Sequence, residues 1–273
     1  MNKVLVPCDF SEPAVQAFKF AADIVKQSRG VIHLLNVVSM PALYDSTAVL
    51  SFEQAFMADL KKDAEKNFKK MKEKWAKEGQ RIVTHVEYGA TVPVIRRLIK
   101  ETKADLVVLG THGASGLKEF TIGSNTEKIV RTSPVPVIAV KKTPKSIKSI
   151  VFPTTPDMKL ENMMMHLKEL QSFFGANLHI VYINTPGLFK RDLEMKSKMK
   201  DFASRFMMKN YSLHIFNDIT EEEGIINFTK EVRADMIAMR THGRRGISHL
   251  AMGSIAEDVV NHIDCPIWTY LVR

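Results

Sequence analysis

Two stretches of this sequence place glycines and a serine where a chain could hold an anion: GTHGASGLKEFTIGS from Gly110 to Ser124, and RTHGRRGISHLAMGS from Arg240 to Ser254. In each, serine is followed three residues later by glutamate, Ser124 by Glu127 and Ser254 by Glu257. That is the spacing of a capping box at a helix start. Free amides in a first helical turn, backed by the macrodipole, attract phosphate. Gly123, just before the serine, lets those amides approach a ligand without an intervening side chain. Gly110 and Gly113 shape the facing wall on the same argument. The competing reading is an ordinary glycine-rich turn with an ordinary cap. No lysine follows the glycines as in a P-loop, and the spacing is not Gly-x-Gly-x-x-Gly, so phosphoryl transfer has no evident engine.

Other reactive residue types lead less far. The chain has nine histidines. His112 and His242 occupy matching loop positions, and His33 and His179 matching strand positions. No pair has the His-x3-His or Cys-x2-Cys spacing of a zinc site, so no metal site is expected. His112, beside the glycines, orients the loop or touches phosphate. Cys8 precedes Asp9 at a strand end, but nothing basic beside it would lower its pKa, so it reads as a core thiol rather than a redox sensor. Met163 to Met165 belong mostly to the apolar face of a helix.

These residues must be positioned by alternating strands and helices. KVLVPCD, GVIHLLNVV, RIVTHVEYG, ADLVVLG and VPVIAVKK read as strands. Helices run from Pro13 to a stop at Gly30, over 52–79, from Val92 to Lys103 with Pro93 in the first turn, and over 124–132. In the long helix Phe56, Leu60, Ala64, Phe68, Met71 and Trp75 mark a buried stripe. Short apolar strands alternating with helices predict a parallel sheet covered on both faces. Ligands of such sheets sit beyond the carboxyl ends of the strands. Asp9, Val37, Gly89 and Gly110 all fall there.

The pattern occurs twice. Residues 104–140 align without a gap on 234–270, with 11 of 37 positions identical, among them Asp105/Asp235, Gly113/Gly243, Gly123/Gly253 and Ser124/Ser254. The openings also match, KVLVPCDFSEP at 3–13 with SIVFPTTPDMK at 149–159. KKTPKSIKS at 141–149 reads as a polar linker, which gives two domains, 1–143 and 147–273. The final strands, PVPVIAVKK and CPIWTYLVR, expose edges that seek a partner.

The combination Gly110, Gly113, Gly123 and Ser124, together with VPCDFSEPA at 6–14, resembles the universal stress protein family, in a tandem form covering nearly the whole chain. The resemblance implies α/β architecture: two tandem Rossmann-like (adenine nucleotide alpha hydrolase-like) domains, each a five-stranded parallel sheet flanked by helices. It implies ATP as ligand, with or without magnesium, at the strand tips. By position, Asp9 resembles the acid that contacts the nucleoside and Val37 the residue whose backbone recognises adenine. Gly113, Gly123 and Ser124 resemble the ribose- and phosphate-binding positions, with Asn125 supplying the next amide. Pro7 and Gly110 shape the walls, and Gly89 lines the cleft. It also implies edge-to-edge pairing of the last strands, here as an intramolecular pseudo-dimer, with further homodimerisation open. The second copy departs: Thr155 stands for Asp9, Arg240 for Gly110 and Asp218 for Gly89. Gly243, Gly253 and Ser254 remain, with Arg244 and Arg245 beside them, so that site reads as degenerate.

Bulk properties narrow the partners. The net charge of +9 lies wholly in residues 1–150, with 24 Lys+Arg against 15 Asp+Glu; residues 151–273 have 15 of each. This surplus suits an anionic ligand, or is a solvated helix face, since much of it lies in KKDAEKNFKKMKEKWAKEG. No ribonucleoprotein motif or zinc finger accompanies it, so nucleic acid is not the expected partner. No apolar run approaches the roughly 20 residues of a membrane span. The opening runs into a strand with a charge at Asp9 and is not a signal peptide, and two cysteines fit a reducing compartment, so a cytoplasmic location is expected. The leading functional expectation is a nucleotide-binding stress-response module without a catalytic residue. The alternatives are a nucleotide-free interaction scaffold and a slow ATP-hydrolysing enzyme.

Overall fold

The shortest apolar runs become the centre of a sheet. In the computed structural model, which describes residues 1–38, 47–111, 123–156, 160–242, 259 and 262–272, β1 (Lys3–Pro7), β4 (Leu106–Gly110) and β5 (Val137–Val140) are buried through their interiors on both faces. That is how parallel strands under two helical layers are expected to look. Outside them lie β2 (Val31–Val38) and β3 (Arg81–Tyr88). The second half supplies β6 (Ser149–Pro153), β7 (Asn177–Asn184), β8 (Tyr211–Asn217), β9 (Met236–His242) and β10 (Ile267–Val272). All ten form one sheet in the order β3-β2-β1-β4-β5-β10-β9-β6-β7-β8. From the middle outward, each half repeats the same strand order. Every neighbouring pair is parallel except β5 with β10, which is antiparallel. The free edges that the last strands would expose are thereby paired with each other.

Helices α1 (Glu12–Ser28) and α2 (Thr47–Trp75) cover one face of the first half, with α3 (Thr91–Thr102) and α4 (Ser124–Thr132) on the other. In the second half α5 (Glu161–Phe174) and α6 (Asp192–Arg205) continue the first layer, and α7 (Glu221–Glu231) the second. One apolar core runs across both halves on the α1 and α5 side. Phe20 stacks on Phe174 there, and Trp268 on β10 is buried beside it.

One identical pair between the halves gains a reason. The Asp105 carboxylate accepts hydrogen bonds from the amides of Asn2 and Lys3, and Asp235 from those of Lys148 and Ser149. Each aspartate thus ties the start of β4 or β9 to the start of the neighbouring β1 or β6.

Three expectations change. α1 is closed by Arg29, which takes the left-handed conformation at φ 55°, rather than by Gly30. The buried stripe of α2 begins only at Ala64; Phe56 is 45% exposed. The linker is packed: Ile147 is buried, Thr143 hydrogen-bonds to Gln16, and Lys141 pairs with Asp264.

Candidate functional site

At the carboxyl ends of β1, β2 and β4 the sheet opens into a cleft whose described walls enclose about 160 Å³. Pro7, Asp9, Val37, Gly110, Gly123, Ser124 and Asn125 line it, so seven of the expected residues converge on one hollow. His112 and Gly113 lie outside the described residues, as do Gly243, Gly253 and Ser254 of the second half. Gly89 is not among the described residues that line the cleft. It sits at the end of β3 with φ 124°, its amide donating to the Val38 carbonyl, and its lack of a side chain serves that turn.

The floor is built by β1. The Cys8 amide donates to the Leu35 carbonyl, and the Asn36 side-chain amide donates to the Cys8 carbonyl at 2.8 Å. Asp9 is then carried outward by a tight turn in which Phe10 takes φ 65°, uncommon for a bulky residue. Packing holds that conformation: the Phe10 ring meets Phe68 of α2 edge to face at 5.1 Å. The Asp9 carboxylate accepts hydrogen bonds from the Ser11 amide and hydroxyl. Ser11 in turn caps α1, accepting from the Ala14 amide. The exposed acid at the cleft is therefore fixed by the same turn that starts α1.

The facing wall is the start of α4, and here the capping expectation is corrected. Gly123, not Ser124, is the N-cap, in extended conformation, and no side chain caps the helix. Ser124 is the first helical residue, which puts Glu127 one position too far to close a capping box; Glu127 pairs instead with Arg131 at 2.9 Å. The first intrahelical bond runs from the Glu127 amide to the Gly123 carbonyl. The amides of Ser124, Asn125 and Thr126 thus have no acceptor within the helix. The helix start is locked to the sheet by the Thr126 hydroxyl, which donates to the Gly110 carbonyl at 2.9 Å, and by the Gly123 amide, which donates to the Thr111 carbonyl.

Gly110 has a different reason from the one expected. A Cβ there would stand 2.7 Å from the Pro13 carbonyl carbon and 2.9 Å from the Ala14 amide nitrogen. Its bareness admits the first turn of α1 against β4, while its main chain lines the cleft.

The cleft also contains Asn36, Thr91 and Thr126, which the sequence did not single out. An uncharged polar residue near the carboxyl end of the apolar run of β2, where His33 is the other polar residue, was the available signal for Asn36. Cys8 forms part of the floor as a core thiol: burial pushes it up to about 12, against a hydrogen bond from the Phe10 amide, and the thiol lies 3.9 Å from the Met71 sulfur.

The second half has the same strand ends with different residues at them. Ile183, in the place of Val37, is 8% exposed and lies against Gly224 of α7, where a Cβ would run into the Ile183 side chain. Glu221, in the place of Thr91, lies beside Arg240, in the place of Gly110. Burial raises the Glu221 pKa and lowers that of Arg240, while each opposes that shift in the other through its charge. Buried Asn184 holds the following loop through the Lys190 amide and carbonyl.

Comparison with known proteins places these features in a family. The model of the universal stress protein family matches residues 1–141 and 218–270. A universal stress protein of Methanocaldococcus jannaschii is 31% identical over 146 residues, 53% of this chain and 84% of that one. The universal stress protein YxiE of Bacillus subtilis is 29% identical over 146 residues, 51% of this chain and 99% of its own. The crystal structure of a universal stress protein from Archaeoglobus fulgidus has a TM-score of 0.72 across 98% of this chain and 97% of that one, at 19% identity. That last likeness is one of fold, and it spans both halves.

Proposed function

The chain belongs to the universal stress protein family, and from that premise we propose that it binds ATP in the cleft of its first half, as a regulatory rather than catalytic module. The observation that carries this reading is the convergence of Asp9, Val37 and the amides at 124–126 on one hollow at the strand tips. In this reading the base lies along β2 by Val37 and the sugar reaches Asp9. The phosphates meet the helix start, where three donors and the macrodipole favour negative charge. The described walls enclose less than the roughly 300–1,000 Å³ of clefts that bury a whole ligand. The nucleoside therefore takes the enclosed part and the phosphates its exposed mouth, beside Ser124 and Asn125. Asp9 is the one carboxylate among the described lining residues, and the proposed role spends it on the nucleoside, which supports binding over hydrolysis.

The units that act together are proposed as 1–143 and 147–273, the second contributing no nucleotide site because Ile183 and the Glu221–Arg240 pair occupy the corresponding space. Isothermal titration tests the assignment. ATP is expected to bind with one equivalent per chain, and Asp9→Ala to weaken it roughly tenfold or more, the worth of a hydrogen bond to a charged group. Equal affinity in both proteins would remove Asp9 from the site. Two equivalents would reopen the second cleft.

A further inference from the structure

Four half-buried histidines that the cleft does not use form two matching pairs. His33 Nδ1 lies 3.0 Å from His85 Nε2, and His179 Nδ1 lies 3.2 Å from His214 Nε2. Ring centroids are 5.3 Å apart in both, with planes inclined 34° and 37°. One member sits on β2 or β7 and the other on the edge strand β3 or β8. In each case the partner lies two residues beyond the position directly opposite, which is Val83 in one half and Ser212 in the other. Two-residue steps keep side chains on one face, so both rings point to the same layer.

The surroundings match as well. Glu101 on α3 and Glu231 on α7, equivalent positions of the two halves, each favour positive charge at the neighbouring His85 or His214, and Glu87 adds to this at His85. Lys3 opposes it at His33. Burial holds all four rings below the ordinary histidine range. Meanwhile the clefts of the same two halves have diverged, with Thr155 for Asp9 and Arg240 for Gly110. The paired rings, their spacing and their carboxylate have not.

We propose that each half carries a paired-imidazole site for a late first-row divalent metal ion, Cu²⁺ foremost, with water completing the coordination. Nitrogens about 2.0–2.1 Å from a metal stand roughly 2.9 Å apart at a right angle and roughly 3.3 Å apart at the tetrahedral angle. The observed 3.0 and 3.2 Å fall within that span, so an ion enters to one side of the line between the facing nitrogens, with both rings tilting toward it; it displaces the shared hydrogen, whose proton moves to the far nitrogen of its own ring. Among the described residues no group of three or more His, Cys, Asp or Glu side chains gathers. A site with two protein ligands favours the ion at the top of the divalent affinity order, which is copper. In the second half the Ser212 hydroxyl stands 3.1 and 2.9 Å from the two facing nitrogens, and Asn177 Nδ2 donates to His179 Nε2 at 3.2 Å; with a metal at Nδ1 the amide turns so that its oxygen accepts from the proton moved to Nε2.

The test is titration of the full chain with Cu²⁺ alone, followed by electron paramagnetic resonance. Two equivalents per chain with coupling to two imidazole nitrogens are expected. His85→Gln and His214→Gln should each abolish one equivalent, and the double variant both. His166→Gln, outside the pairs, should retain two. A double variant that still binds two equivalents overturns the proposal. Should a variant fail to fold, the unsubstituted chain decides: a single-nitrogen signal, or no bound equivalent, leaves the pairs as hydrogen bonds only.

Discussion

Replacing Gly110 with alanine separates two reasons for a glycine at this point. If the residue is bare to admit a ligand, a methyl group weakens binding and leaves the fold alone. The geometry gives the other answer. The new Cβ would meet main-chain atoms of α1 at 2.7 and 2.9 Å, where ordinary contact begins near 3.4 Å. The obstacle is backbone at the capped first turn of a helix, facing a fully buried strand, so no side-chain rotation relieves it. Overpacking of this kind costs about 1–3 kcal/mol. For a domain of this size each kcal/mol lowers Tm by roughly 2–4 °C. Urea denaturation of Gly110→Ala should therefore show a lower midpoint at unchanged slope. Because the same displacement moves the turn that holds Asp9, ATP affinity should fall with it. Stability within about 0.5 kcal/mol of the parent would refute the packing argument and return Gly110 to a purely ligand-facing role.

In the second half, Gly224→Val should destabilise by about 1–3 kcal/mol, measured the same way, because the stiff Ile183 side chain occupies the space a Cβ needs. With burial raising both thiols, Cys8 and Cys265, to about 12, neither should react rapidly with a disulfide reagent at pH 8, and buried Cys8 should react only at the rate of unfolding; a burst of two thiols in the native protein would contradict this. The paired histidines bind protons less readily folded than unfolded, so stability from them is present above the unfolded value of 6.5 and falls as pH drops below it. A melting temperature that declines below about pH 6.5, and declines less in His85→Gln/His214→Gln, is the expected result; identical pH profiles would deny the pairs that role.

Much of this architecture was legible in the sequence because each half repeats a local rule. Apolar runs of four to five residues are too short for helices, and their alternation with amphipathic segments required a parallel sheet. The glycines of the loop were visible, but what each does depends on groups distant in sequence. Gly110 is explained by Pro13 and Ala14, almost a hundred residues earlier. The Ser-x-x-Glu spacing misled by one position because Gly123 could itself serve as the cap, leaving Ser124 inside the helix. Asn36 and Thr126 face the cleft through bonds to the Cys8 and Gly110 carbonyls, which no pattern along the chain announces. The histidine pairs escaped notice for a topological reason. His33 and His179 are 146 residues apart, but His85 and His214 only 129, so no single gapless alignment superposes both. Gly224 within a helix was an available warning that α7 sits unusually close to its strand.

The account turns on the amides that open α4, and one substitution, compared with Ser124→Ala to account for the lost hydroxyl, addresses them directly. Ser124 is the first helical residue and Gly123 before it has φ −61° and ψ 136°, a conformation that proline tolerates in its predecessor. Ser124→Pro should therefore keep the helix while deleting one donor. Comparing ATP with adenosine on this variant, the account predicts ATP affinity reduced about tenfold or more and adenosine affinity unchanged. ATP binding as tight as in the parent, with the helix intact, would contradict it.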